Sequence, residues 1–170
     1  MSRNPLSVRL VSSILMAGAL VFTGCNDNDY DFDQIDTTVI DSALSAGFIP
    51  VISSVGVDSQ GQPHNINADT AATKIAAALN AECLVFMSNI DGVMKDPKDK
   101  DSLLHKLTVV ETEALKKDGT INGGMIPKVD ACTDAIKDGV KKVFIINGEV
   151  PHALLIELLT DEGLGTMFVE

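Results

Sequence analysis

Short apolar runs rich in β-branched residues alternate with helix-like segments along most of this chain, and this alternation limits the folds open to it. Residues 83–88 and 142–147 each have the length and composition of a buried strand. Residues 108–117 and 125–138 have the apolar spacing of helices, and Gly139 marks the end of the second. The pattern predicts an α/β fold, a three-layer αβα arrangement whose helices cover both faces of a mostly parallel sheet.

The same patterns predict four further elements and the orientation of one helix. The elements are a buried strand over 48–55, a helix over 68–79, a closing helix over 153–159 and an edge strand over 166–169. In the helix over 108–117, we expect Val109, Val110 and Leu115 to face the core. The polar stretch over 89–101 is expected to form a loop.

The charge balance excludes several classes of protein. The 170 residues include 24 acidic and 13 basic side chains, which gives a formal net charge of −11. Such a chain offers little basic surface to a phosphate backbone, so we expect no nucleic-acid partner. Its hydrophobic fraction of 45% is too high for a disordered protein. Three cysteines make neither a disulfide scaffold nor a closed zinc site, and His64, His105 and His152 share no metal-ligand spacing, so no metal site is expected.

The first 24 residues have the composition of a secretory signal. They contain no acid, and Arg3 and Arg9 precede an uncharged apolar run over 11–22. That run is too short to span a hydrocarbon layer of about 30 Å as a helix. The tripeptide that ends in Cys25 resembles the end of a bacterial lipoprotein signal, which makes Cys25 a lipidation candidate and a candidate membrane anchor. The alternative is a buried or mistranslated apolar leader.

The segment that follows is strongly acidic. Residues 26–36 contain five aspartates and no base, a composition that forms a core poorly and indicates a solvated tether. A calcium loop is less consistent with these residues, because the glycine at its turn and its closing glutamate are both absent. We therefore predict three parts: a signal-like leader over 1–24, an acidic tether over 25–45 and a globular body over 46–170.

Polar residues follow the predicted strands in the segments 56–69, 89–95 and 147–152. Ligands of parallel sheets bind beyond the carboxyl ends of the strands, so these segments are candidates for a site. The first of them leads into the helix over 68–79, and the local alternative is that Asn67 or Asp69 simply caps that helix.

A pair of glycines, Gly123 and Gly124, directly precedes the helix predicted to begin at Met125, and Lys128 lies one turn inside it. Free amide groups and the positive end of a helix dipole favour a phosphate, and glycines let the backbone approach it closely. The spacing differs from that of the common P-loop, and an ordinary turn would also account for two glycines before a helix.

Four blocks of sequence, taken together, resemble the acetylglutamate kinases, which are members of the amino acid kinase family. The blocks are 47–56, 65–69, 88–93 and 123–128, and they occur in the order and at the separations of that family. Residues 151–155 and 160–166 resemble its closing blocks. The resemblance extends from Ala46 to about Val169 and corresponds to the carboxyl-terminal half of such an enzyme.

The resemblance implies transfer of the γ-phosphate of ATP to the side-chain carboxylate of N-acetyl-L-glutamate, in arginine biosynthesis, with Mg²⁺ accompanying the ATP. It assigns Lys128 to stabilising charge on the transferring phosphoryl group, Asp69 to orienting the catalytic lysines and Asn65 to binding the acetylglutamate. The residues that it places around the nucleotide are Asn89, Ile90, Asp91, Gly92, Val93, Met94, Thr120, Ile121, Asn122, Gly123, Gly124, Met125 and Lys128.

The sequence also departs from the family. Family members begin with a strand and a glycine turn that carries a first catalytic lysine, followed by a glycine-rich loop and an arginine that hold the acetylglutamate. Nothing similar precedes Ala46, and Asn89 stands where the nucleotide block usually has an aspartate. Because loss of one preorganised charge commonly costs two to three powers of ten in rate, we expect negligible acetylglutamate kinase activity from this chain alone.

Half of such a sheet would leave an unpaired strand edge and uncovered apolar faces. We therefore expect self-association or a partner that supplies the other half. An alternative function is an envelope lipoprotein, anchored through Cys25, whose kinase-derived body is a non-catalytic binding module. The kinase interpretation places the chain in the cytoplasm and the leader places it at a membrane, and a fusion of unrelated reading frames would explain both.

Overall fold

The structure is a computed structural model that describes residues 20–21, 25–26, 29–30, 35–57 and 62–170, with side chains described over 35–56 and 62–170. The chain divides into two compact units, Met1–Ile66 and Asn67–Glu170. Most of the predicted leader, the segment over 1–24, lies outside the described residues. None of the helices in the described ranges has the length and apolar character needed to cross a membrane.

The first unit contains short strands and one helix. Its elements are β1 (Leu20–Val21), β2 (Cys25–Asn26), β3 (Asp29–Tyr30), α1 (Thr38–Ser45), β4 (Val55–Val57) and β5 (Pro63–Asn65). Strand β4 pairs in parallel with β1 and antiparallel with β5, while β2 and β3 form a separate antiparallel pair.

Helix α1 lies within the segment that we predicted to be a tether. Its first amide, that of Thr38, donates a 2.9 Å hydrogen bond to Asp36 Oδ1. Hydrogen bonds from Thr38 also hold the pKa of Asp36 below its usual value, since they stabilise the carboxylate. The acidic segment thus supplies an acceptor for the first amide of a helix, a role that its composition did not reveal.

The buried strand predicted over 48–55 is wrong. Residues 48–53 have no regular structure, and the strand in this region is β4, which begins at Val55. The side chains of Ile49 and Val51 are 63% and 61% exposed, so the apolar run is not buried in the described structure. Pro50 has no amide to donate to a ladder, and residues 48–53 have no ladder partner among the described strands.

The second unit holds a four-stranded sheet and four helices. Its elements are α2 (Ala68–Ala78), β6 (Cys83–Ser88), a 3₁₀ turn (Lys100–Ser102), β7 (Lys106–Thr108), α3 (Val109–Lys117), α4 (Met125–Lys137), β8 (Lys142–Asn147), α5 (Ala153–Leu159) and β9 (Thr166–Val169). The strand order is β6-β8-β9-β7. Strands β6 and β8 are parallel, β7 and β9 are parallel, and β8 and β9 run antiparallel, so the sheet is mixed and mostly parallel.

Alternate residues of β8 belong to two separate apolar clusters. Val143 and Ile145 join a cluster that includes Val129 and Cys132 of α4, whereas Phe144 and Ile146 join a second cluster that includes Ala153 of α5. Side chains on a strand point alternately to the two faces of a sheet, so helices cover both faces of this one. The predicted α/β class and its three layers are confirmed.

Three details of the prediction are wrong in this unit. Strand β9 was expected at an edge, but it lies between β8 and β7. The edge strand next to β9 is β7, a strand of three residues that carries too few side chains to show a periodic pattern. In α3, Val110 was expected to face the core but is 80% exposed. The helix begins one residue later than predicted, because Thr108 is its N-cap and forms a capping box with Glu111.

Candidate active site

A cavity of about 330 Å³ opens beside the carboxyl end of β6. Its volume falls at the lower end of the range typical of ligand pockets. Two stretches that are distant in sequence form its wall, one that follows β6 and one that precedes α4. The lining residues are Asn89, Ile90, Asp91, Gly92, Val93, Met94, Pro97, Lys100, Thr120, Ile121, Asn122 and Met125.

Thr166 of β9 fixes the turn that forms one wall of this cavity. Its buried Oγ1 accepts a 2.8 Å hydrogen bond from the amide of Val93. Gly92 has a φ of +146°, and a Cβ at this position would lie 2.5 Å from Thr166 Oγ1 and 2.8 Å from Leu103 Cδ1. Glycine is therefore required at residue 92, because any side chain would displace the turn from the strand that supports it.

The carboxylate of Asp91 lies between an amide and a cation. Its Oδ1 accepts a 2.7 Å hydrogen bond from Asn147 Nδ2 at the end of β8, and its Oδ2 lies 3.8 Å from Lys100 Nζ. Asp91, which follows β6, lies near Asn147 because Ser88 at the end of β6 and Asn147 at the end of β8 are partners in the parallel ladder. The carboxyl ends of two neighbouring strands thus meet at this cavity, as expected for a ligand site in an α/β sheet.

The glycine turn leads directly from the cavity wall into α4. Gly123 has a φ of +53°, and no atom lies within 4 Å of a Cβ built at Gly123 or Gly124. The amides of these two glycines have no hydrogen-bond acceptor among the described residues, whereas the amide of Met125 donates to Asn122 O at 3.2 Å. Two free amides and open space at the start of a helix of 13 residues are suited to an anion.

One turn inside α4, Lys128 forms an ion pair with Asp69 of α2. Lys128 Nζ donates a 3.1 Å hydrogen bond to Asp69 Oδ2, and the two side chains are 29% and 33% exposed. The two helices pack closely, which brings Lys128 and Asp69 together. Helix α2 contributes small residues such as Ala76 to the contact. In addition, Thr73 Oγ1 of α2 donates a 3.4 Å hydrogen bond to the carbonyl of Ala131 in α4. Lys128 itself does not line the cavity.

The cap of α2 is Asn67, so Asp69 is not needed for that purpose. Asn67 Oδ1 accepts hydrogen bonds from the amides of Asp69 and Thr70 at 3.0 and 3.1 Å. The sequence left open whether Asn67 or Asp69 capped the helix, and the structure assigns the cap to Asn67. The carboxylate of Asp69 is thereby available for Lys128.

The two described cysteines are not poised for chemistry. Cys132 is fully buried in α4, and burial, followed by the negative charge of Asp69, raises the pKa of its thiol far above the ordinary value. Burial likewise raises the pKa of Cys83. A thiol that stays protonated is a poor nucleophile, so we expect neither cysteine to act as one.

The other candidate residues are not brought into the cavity. Asn65 is an exposed residue of β5 in the first unit. Cys25 begins β2, but its side chain lies outside the described part, and its lipidation stays a prediction. Within the described ranges, no three His, Cys, Asp or Glu side chains come close enough to hold a metal ion.

Reasoning from the sequence missed Lys100, which lines the cavity, and also Asn147 and Thr166, which hydrogen bond to two residues of its wall. Asn147 lay at the start of one of the three segments that follow strands, so its position was a signal that it adjoined a site. Thr166 gave no signal, because a threonine inside a strand usually reports β propensity. Lys100 lies in a loop with several other lysines, and only the fold distinguishes it from them.

The sequence profile described as "Amino acid kinase family" matches residues 3–147 of this chain. The chain belongs to the amino acid kinase family. The match begins within the predicted leader and includes the whole predicted tether, so these segments are part of the family match. The proposed division at residues 24 and 45 stays a prediction.

Curated relatives of the chain are acetylglutamate kinases. The enzyme of Brachyspira hyodysenteriae is 48% identical over 138 residues, which cover 81% of this chain and 48% of the relative. That of Thermosynechococcus vestitus is 50% identical over 135 residues, which cover 79% and 46%. The chain spans about half the length of these relatives.

Solved structures of other proteins share the fold of this chain. N-acetylglutamate synthase from Neisseria gonorrhoeae, complexed with coenzyme A and L-arginine, superposes with a TM-score of 0.76 at 26% identity, covering 99% of this chain and 39% of the synthase chain. T. acidophilum isopentenyl phosphate kinase, in a product complex, superposes with a TM-score of 0.55 at 20% identity over 91% of this chain and 60% of that one. At that identity the likeness to the second protein shows the fold alone.

Proposed function

We propose that the chain binds ATP in the cavity of the second unit and supplies Lys128 and Asp69 to phosphoryl transfer onto the side-chain carboxylate of N-acetyl-L-glutamate. One observation carries the proposal. Residues 89–94 line a single cavity together with residues 120–122 and Met125, and Met125 begins the helix that holds Lys128 against Asp69. The identity to acetylglutamate kinases supports the choice of acceptor and a place in arginine biosynthesis.

Phosphoryl transfer depends on positioning and positive charge more than on a covalent nucleophile. The start of α4 offers two free amides, and Lys128 adds a full charge one turn further along. Asp69 limits the motion of the Lys128 ammonium group, because the ion pair holds Nζ at 3.1 Å from Oδ2. In this proposal the ammonium group is held in place before the transferring phosphoryl group develops its charge, which is the arrangement that lowers a barrier most.

Local charge must overcome the net charge of the chain, which is −11. Of the residues that line the cavity, Lys100 is basic and Asp91 is acidic. As the resemblance implies, we expect Mg²⁺ to arrive with the nucleotide and to neutralise part of its phosphate charge. Asn65, an exposed residue of β5, is proposed to contact the acetylglutamate on the basis of the resemblance alone.

Two measurements test the proposal. Calorimetric titration with MgATP should show saturable binding that ADP competes for, whereas absence of binding by the folded chain would contradict the nucleotide site. A coupled assay with ATP and N-acetyl-L-glutamate addresses the acceptor. Only one catalytic lysine, Lys128, is identified in the sequence, so we expect turnover far below that of a full-length relative, and comparable turnover would contradict this expectation.

A further inference from the structure

We propose that Asn147 is a positioning residue of the cavity, which fixes the Asp91 carboxylate in the orientation that receives a nucleotide. The inference rests on the proposed function of the cavity. Asn147 itself does not line the cavity, whereas Asp91 does. Its effect on a ligand would therefore pass through Asp91.

The hydrogen bonds of Asn147 define the orientation of its amide. Its Oδ1 accepts a 2.9 Å hydrogen bond from the backbone amide of Glu149, and its Nδ2 donates at 2.7 Å to Asp91 Oδ1. A backbone N–H can only donate and a carboxylate can only accept, so the two partners are satisfied by one orientation of the amide alone. The carbonyl of Ser88 further holds this corner, since it accepts the amide of Gly148 at 2.8 Å.

The position requires a side chain that accepts on one side and donates on the other. Aspartate at residue 147 could still accept the Glu149 amide, but it would put a second carboxylate against Asp91. Two carboxylates at hydrogen-bond distance repel, and one of them takes up a proton at a pH well above its ordinary pKa. An asparagine avoids that repulsion and donates to Asp91 Oδ1 instead.

The charged groups that face Asp91 are few. Lys100 Nζ lies 3.8 Å from Oδ2, and the Lys100 side chain is mostly exposed, so it constrains the carboxylate weakly. The hydrogen bond from Asn147 is shorter and comes from the rigid end of β8, so it is the contact that sets the position of the carboxylate. The turn behind Asp91 is held independently by Thr166 through the Val93 amide.

Two variants at one position test this role. Asn147→Ala removes the donor without adding charge, and we expect it to raise the Kd for MgATP about tenfold at every pH from 5 to 8. Asn147→Asp should raise the Kd at least as much at pH 8. The increase in Kd caused by Asn147→Asp should become smaller towards pH 5, because a protonated carboxyl at residue 147 can donate to Asp91 again.

A loss of affinity that depends on pH in one variant and not in the other distinguishes positioning from general damage to the fold. Melting curves at each pH show whether the variants are folded, and if Asn147→Asp is unfolded at pH 8, Asn147→Ala carries the test alone. Binding by Asn147→Ala within twofold of the wild-type chain would overturn the inference and leave the proposed function intact. Failure of the wild-type chain to bind MgATP would overturn both.

Discussion

Lys128 Nζ and Asp69 Oδ2 lie 3.1 Å apart, although the two residues are 59 positions apart in the chain. Each lies near the start of its helix, and the packing of α2 against α4 brings the two starts together. The structure therefore fixes a cation close to two free backbone amides, those of Gly123 and Gly124. In a chain of strongly negative net charge, this is a place where an anionic ligand can be stabilised locally.

Lys128→Met should weaken MgATP binding, whereas Asp69→Asn should not, because only the first removes positive charge near the phosphates. Lys74→Met is a matched control. Lys74 of α2 forms an ion pair of the same length, 3.1 Å, with Asp138 at the end of α4, and its side chain is exposed to a similar extent as that of Lys128. Each substitution should cost at most about 1 kcal/mol of unfolding free energy, as is usual for partly exposed ion pairs. Calorimetric titration and urea unfolding measure both effects. Equal loss of affinity in the Lys74 and Lys128 variants would contradict a specific role.

Lys100→Met should also raise the Kd for MgATP, because Lys100 lines the cavity. Lys141→Met is the control: it makes the same change in net charge at an exposed ion pair with Glu82, away from the cavity-lining residues. We expect a several-fold effect for Lys100 that diminishes as salt concentration rises, since an exposed charge is screened. A titration series in NaCl measures this. An equal change in both variants would show that only the net charge matters.

Thr166→Val should destabilise the second unit by about 1–3 kcal/mol, because it leaves the buried amide of Val93 without an acceptor. Thr112→Val makes the same atomic change at another fully buried residue. There the hydroxyl only donates to the carbonyl of Thr108, the N-cap of α3, so the loss should be smaller. Urea unfolding of both variants compares them. Similar losses would show that Thr166 does not hold the cavity wall.

Sequence patterns were sufficient to predict a strand or helix where several of its residues share one periodicity. The strands β6 and β8 occupy the predicted residues, and α4 begins at Met125 as predicted, because long apolar runs and a glycine turn define them locally. The edge strand β7 and the exposure of Val110 depend on which elements become neighbours, and sequence periodicity does not determine that.

The candidate site likewise has a part that could be predicted from the sequence and a part that could not. The glycine turn and Lys128 were visible as a motif, whereas Thr166 and Asn147 act through contacts across more than 50 residues.

The exposed run around residue 50 gives a further prediction. Ile49→Ala should change the unfolding free energy by less than about 0.5 kcal/mol, because most of this side chain is exposed. Ile145→Ala removes the same atoms from a fully buried position in β8 and should cost about 2–5 kcal/mol. Chemical unfolding of the two variants makes the comparison. A large loss at Ile49 would restore the original prediction of a buried strand over 48–55.

The capping box of α3 predicts a dependence of stability on pH. Hydrogen bonds from Thr108 to Glu111 lower the pKa of Glu111 in the folded chain. A carboxyl group whose pKa is lower in the folded chain than in the unfolded chain stabilises the fold at pH values above its pKa in the unfolded chain, near 4.3. This stabilisation is lost as the pH falls through the pKa in the folded chain. Wild type should therefore melt above Glu111→Gln at pH 7, and the difference should vanish in more acidic buffer. A difference that persisted unchanged at pH 2 would contradict the charge as its cause.

The central claim is that the cavity between the segments 89–94 and 120–125 holds the nucleotide. A crystal structure of this chain with Mg²⁺ and a non-hydrolysable ATP analogue tests it most directly. The claim predicts density for the nucleotide in this cavity, with its phosphates directed towards Gly123, Gly124 and Lys128 at the start of α4. Nucleotide density elsewhere, or an empty cavity at saturating analogue, would contradict it.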